Sequence, residues 1–251
     1  MRVALRGLLL LWVLAGAGCR DVSAGKEAPP AGRARQLIVA IDLSASQTPE
    51  MLAEARRFLD QLIDGLSFGD RIVLLEIHQQ GMREKVRRWA DSMPAPADPS
   101  FVSSRDRERL VGARQALRSI LPSFFDESRA GKAMRTDIFT TLHVAAEYAR
   151  EARGRRTTLI LLSDMLQSAN GVEMQGLARM PEPGWIGRQK QAGLIPDLRG
   201  VCVVVVGADP TTREGVAVRD FWRAYFEAAG ARLDLDDYRV IAPEGAEIGC
   251  H

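Results

Sequence analysis

Asp42, Ser44 and Ser46 stand at alternate positions straight after the apolar run Leu37, Ile38, Val39, Ala40 and Ile41. One carboxylate and two hydroxyls offer only oxygen and little charge. That donor set suits a hard cation such as Mg²⁺, which keeps several of its waters. The apolar run is rich in β-branched residues and reads as a strand buried on both faces. Thr48, Pro49 and Glu50 then supply an N-cap, a proline at the first helical position and an early acid. A strand that passes through a polar loop into a helix sets that loop at the carboxyl end of a parallel sheet, where open α/β folds bind ligands.

The rest of the chain supplies the elements that hold this loop. Leu52, Ala55, Leu59, Leu62, Ile63 and Leu66 repeat at helical spacing, predicting a helix over 49–65, and 71–77 reads as a second buried strand. Residues 82–89, with Arg83, Lys85, Arg87 and Arg88, suit an exposed edge strand, where basic side chains discourage edge-to-edge pairing. Ser103 and Asp106 fit a capping box ahead of a helix carrying Leu110, Ala113, Leu117, Ile120 and Leu121, with 124–132 read as loop. Ile138, Leu142, Ala145, Ala146 and Ala149 mark another helix, and 157–162 a core strand ending in Ser163 and Asp164. The connection over 165–200 is long, contains a short helix near 186–192, and uses Trp185 to pack onto the domain. A strand over 201–206, a helix striped by Val218, Phe221, Trp222, Tyr225 and Ala229, and a last strand over 238–241 complete the body. This alternation predicts an α/β fold: a doubly wound, mostly parallel Rossmann-like sheet with helices on both faces.

The spacing of Asp42, Ser44 and Ser46 resembles the D-x-S-x-S signature of von Willebrand factor type A domains, which carry a metal-ion-dependent adhesion site. The resemblance spans nearly all of 36–241. It implies a strand order 3-2-1-4-5-6 with the short third strand antiparallel. It also implies a metal-binding Thr before the helix at 138, for which Thr136 is the best match and Thr140 and Thr141 are poorer ones. Asp164 corresponds to the family's later Asp. By this resemblance Ser44, Ser46 and Thr136 touch Mg²⁺ or Mn²⁺, Asp42 and Asp164 act largely through water, and a partner's Asp or Glu fills the open position. The function implied is metal-dependent protein binding without catalysis. Two other readings stand beside it. One is the same fold used as a scaffold without metal. The other is a phosphohydrolase of the haloacid dehalogenase type using Asp42 and Asp164, although Ser44 stands where those enzymes carry a second Asp.

The front of the chain carries a different signal. Arg2 and Arg6, an apolar stretch over 8–14 and the small residues 15–18 read as a signal peptide over 1–18, too short to span a membrane. Cys19 directly after it resembles a bacterial lipobox, with Gly16 where such boxes usually carry Leu, and is the candidate lipidation site. The expectation is secretion across the inner membrane to a membrane-anchored or periplasmic place. Residues 19–35 read as a flexible tether and 36–251 as the type A domain. The full chain has 34 basic and 32 acidic residues, and cleavage would remove two arginines, so the mature balance is neutral and argues against nucleic-acid binding. Cys202 and Cys250 could pair in an oxidising compartment, but Cys202 in a buried strand and Cys250 next to last in a polar tail read better as a buried small hydrophobe and a loose thiol. Neither the three Cys nor the three His show zinc-ligand spacing.

Overall fold

The computed structural model describes residues 34–44, 46–77, 86, 88–125, 135–152, 154–242 and 248. The signal peptide and Cys19 lie outside them, as does most of the tether.

Six strands form one sheet in the order β3-β2-β1-β4-β5-β6. They are β1 (Arg35–Asp42), β2 (Arg71–Ile77), β3 (Arg88–Ser92), β4 (Arg156–Leu162), β5 (Val201–Val206) and β6 (Tyr238–Arg239). All neighbours pair in parallel except β3, which runs antiparallel along the β2 edge. This is the order and the single reversed strand that the resemblance implies. The helices are α1 (Pro49–Asp64), α2 (Ser104–Phe124), α3 (Ile138–Glu151), α4 (Trp185–Gln191) and α5 (Arg213–Ala228).

Alternation along the central strands sorts the core into two layers. Ile38 and Ala40 face α3 and α5, together with Leu159, Leu161, Val203 and Val205. Leu37, Val39 and Ile41 face α1 and α2, together with Ile160, Leu162, Val204 and Val206. Helix starts follow the sequence signals closely. Thr48 Oγ1 accepts from Met51 N at 3.3 Å, and Ser103 with Asp106 completes the expected capping box. Trp185 stacks on Phe139 at 5.4 Å between ring centroids, and Phe139 also meets Trp222 and Tyr225, so the aromatic stripe is core as expected.

Several boundaries differ from the sequence reading. Arg35, assigned to the tether, opens β1: its backbone N and Nε donate to the Asp70 carboxylate at 3.0 and 3.1 Å. The described edge strand is Arg88–Ser92; Arg83, Lys85 and Arg87 of the expected edge strand lie outside the described residues. α2 carries Pro122 in its last turn and runs through Phe124, the first residue of the expected loop. The last strand is only two residues long. Ile248, beyond the last strand, is buried in the α1–α2 layer. Cys202 is disulfide-bonded, correcting the free-thiol expectation. It is the second residue of β5, near the strand's amino end, as the reading of 201–206 as a strand placed it. Cys250 lies outside the described residues.

Candidate metal centre

Strand order reverses between β1 and β4: from β1 the chain crosses to β2 on one side, and from β4 to β5 on the other. The crevice at their carboxyl ends is where a doubly wound sheet exposes a binding site. Register places Ile41 beside Leu162. The next residues, Asp42 and Ser163, therefore become neighbours, and their side chains point to the same layer.

Asp42 is fully buried, and both of its oxygens are engaged. Oδ1 accepts from Ser44 N at 2.9 Å and Oδ2 from Ser163 Oγ at 2.6 Å. Ser163 Oγ also accepts from Met165 N at 3.0 Å, which orients its proton toward Asp42. Ser44 is buried, Ser46 is exposed, and their hydroxyl oxygens lie 3.0 Å apart. Asp164 is partly buried and accepts from Leu166 N at 3.0 Å. Between these two bonds sits Met165, a buried non-glycine residue at φ 65°, whose carbonyl accepts from Trp222 Nε1 at 2.8 Å. A side chain in the left-handed region costs on the order of 1 kcal/mol and persists only where surrounding contacts dictate it.

Electrostatics set these two carboxylates apart. Burial, and then the charge of Asp164, push the Asp42 carboxyl up to about 7, against the hydrogen bonds from Ser163 and Ser44. Burial raises Asp164 as well, opposed by the Leu166 amide and the Ser46 hydroxyl. None of the groups acting on either carboxyl is a Lys or Arg.

Thr136 is buried at the mouth of α3. Its N donates to Ser168 Oγ at 2.8 Å and its carbonyl accepts from Ser168 N at 3.0 Å. Gln167 Oε1 accepts from Ile138 N at 2.7 Å, and Asn170 donates to Asp137, the N-cap of α3. The segment that follows Asp164 thus ties the Thr136 loop to the same edge of the sheet. Asp42, Ser44, Ser46 and Asp164 interact directly, whereas Thr136 joins them through that segment.

The sequence reading passed over Ser163, Gln167, Ser168 and Asn170 as parts of the site. Ser163 was findable by counting from the ends of two paired strands. The other three depend on how a long connection folds back, which no local pattern announces.

The donor set fits a hard cation. Two mutually repelling carboxylates beside two adjacent hydroxyls, with no basic group acting on them, are relieved by positive charge. Among the described residues no three His, Cys, Asp or Glu side chains cluster around one point. The oxygen donors gathered here are the Ser44 and Ser46 hydroxyls, with Asp42 and Asp164 beside them.

No protein-family model matches the chain, and no curated protein matches it. Among solved structures it is similar to proximal thread matrix protein 1 from the mussel byssus, at 15% identity over 79% of this chain and 48% of that one, TM-score 0.39. It is similar to the pilus adhesin SpaC of Lactobacillus rhamnosus GG at 12% identity over 84% and 28%, TM-score 0.49. A von Willebrand factor type A structure from Catenulispora acidiphila aligns at 16% identity over 79% and 43%, TM-score 0.38. The chain thus spans less than half the length of each. These are likenesses of general fold; ligands and residue roles rest on the geometry above.

Proposed function

We propose that this chain is a divalent-cation-dependent protein-binding module of the cell envelope. In this reading Ser44, Ser46 and Thr136 give oxygen to Mg²⁺ or Mn²⁺, and Asp42 and Asp164 balance its charge largely through water. When bound, the cation supplies a centre short of negative charge at which an added carboxylate from a partner is strongly favoured. The supporting observation is the pair Asp42 and Asp164, each raised by its surroundings without a basic counter-charge, beside hydroxyl oxygens 3.0 Å apart.

The chain's own residues prepare this state. Ser163 and the Ser44 amide hold Asp42 in one orientation, and the Leu166 amide does the same for Asp164. That is the outer-shell support on which metal sites depend. The same engagement speaks against Asp42 as a phosphohydrolase nucleophile, since both oxygens already accept bonds and neither reaches solvent. Export through residues 1–18 and anchoring at Cys19 complete the proposal, supported by the sequence pattern alone; among the described residues no helix is long and apolar enough to cross a membrane.

Titration calorimetry of the purified protein with Mg²⁺ and Mn²⁺ tests the reading. Weak saturable binding is expected, abolished in Asp42→Ala and reduced in Ser44→Ala. Heats that are absent in the wild type, or identical in wild type and Asp42→Ala, overturn it.

A further inference from the structure

A cleft of about 190 Å³ opens beside the candidate metal centre, on the α1 side of the sheet. Asp42 and Ser163 line both places, so the cleft continues the site. Its walls are otherwise mostly apolar: Met51, Leu52 and Ala55 from α1, Leu162 and Val206 from the strand ends, and Val240. The volume is below the roughly 300–1,000 Å³ of small-molecule sites, and has room for a single side chain. Val240 is 47% exposed and its neighbour Ile241 67%, so the apolar surface runs out to the rim. Gln47, one residue beyond Ser46, also lines the cleft, and its Nε2 is buried with no hydrogen-bond partner. A buried donor left unpaired is costly and calls for an acceptor, which none of the described residues provides. Glu54 on the same wall disfavours a second acid there.

We infer that this cleft is a specificity pocket of the binding site: it receives an apolar side chain adjacent, in the partner, to the acidic residue bound at the metal, with a main-chain oxygen of the partner accepting from Gln47. The inference rests on the metal-dependent reading. It adds that the recognised element is an acid followed by an apolar residue, not an acid alone.

Two blocked, dye-labelled peptides, one containing Asp-Leu and one Asp-Gly, serve as probes against the full mature chain in fluorescence anisotropy, with Mg²⁺ and with EDTA. With Mg²⁺, Asp-Leu should bind about tenfold tighter, the effect of burying most of one leucine side chain. EDTA should abolish both. Val240→Asn, a neutral polar change at an exposed position of the cleft wall, should erase most of the tenfold difference. Methyl NMR signals of Met51, Ala55 and Val240 should move with Asp-Leu and stay still with Asp-Gly. Equal affinities for the two peptides, with Mg²⁺ dependence intact, overturn the pocket and leave the metal reading standing. Equal binding in Mg²⁺ and EDTA overturns both. A preference for Asp-Leu that emerges only after residues 243–251 are removed makes the chain's own tail the occupant and overturns the inference.

Discussion

Asp70 and Asp42 are both almost wholly shielded from water, and they lie at opposite ends of the same sheet. Asp70, at the amino edge, accepts from Arg35 N, Arg35 Nε and Ser67 N, so a guanidinium answers its charge. Asp42, at the carboxyl edge, accepts from the Ser44 amide and the Ser163 hydroxyl and faces another acid, with no Lys or Arg among the groups acting on it. Burying a carboxylate is costly wherever it happens, and only the first of these is compensated within the chain. One edge is therefore built to hold the domain together, while the other keeps a charge imbalance that a cation would remove under the proposed function.

The largest expected effect tests the first half of this contrast. Asp70→Ala leaves three donors and a partly buried guanidinium without their acceptor, and should cost on the order of 3 kcal/mol in urea denaturation, with or without Mg²⁺. A loss below about 1 kcal/mol would remove the distinction between the edges.

Asp42→Asn should act in the opposite direction when no divalent ion is present. The folded carboxyl titrates at about 7, above its ordinary value near 4. The stability it contributes is fully present below about pH 4 and is lost as pH rises through about 7. A neutral amide escapes that loss, so the variant should exceed the wild type by about 2 kcal/mol at pH 8 and match it at pH 4. A destabilised variant at pH 8 would mean that the hydrogen bonds, not the charge, dominate there.

Divalent ion should then repair what the amide repaired. Saturating Mg²⁺ or Mn²⁺ at pH 8 should raise the melting temperature of the wild type by roughly 5 °C, following about 2–3 kcal/mol of linkage. The increase should shrink as pH falls below 7, because protons compete for Asp42. It should be absent in Asp42→Asn, and a pH-independent increase would place the ion elsewhere.

The smallest effect belongs to Ser46→Ala. Ser46 is exposed, so stability without metal should stay within about 0.5 kcal/mol of wild type, while the Mg²⁺-induced shift should fall by half or more. An unchanged shift would exclude Ser46 from the ligand set.

Much of this arrangement is legible in the sequence because the central strands are apolar on both faces and each helix announces its start. Thr48, Ser103 and Asp137 all cap where polar residues precede an apolar stripe. The Asp42 loop and Asp164 could be placed at one edge from the α/β alternation alone. The antiparallel edge strand next to β2 was legible, and its described pairing covers Arg88–Ser92. What escaped were features set by tertiary contact. Arg35 looked like tether because its partner Asp70 is 35 residues away. Ser168 and Gln167 meet the Thr136 loop across about thirty residues, where neither periodicity nor capping carries information.

β1 joins the two edges in a further sense. Its eight residues span about 25 Å, from the end where the preceding segment enters to the end where Asp42 sits. Along that span it is paired with β2 over Gln36–Asp42 and with β4 over Arg35–Ile41. A pull applied between a captured partner and the amino-terminal segment would run lengthwise down this strand. Both ladders would then resist in shear, many bonds sharing the force at once, instead of parting one by one from an end. The strand that places the candidate site is thus also the member along which such a load would be carried.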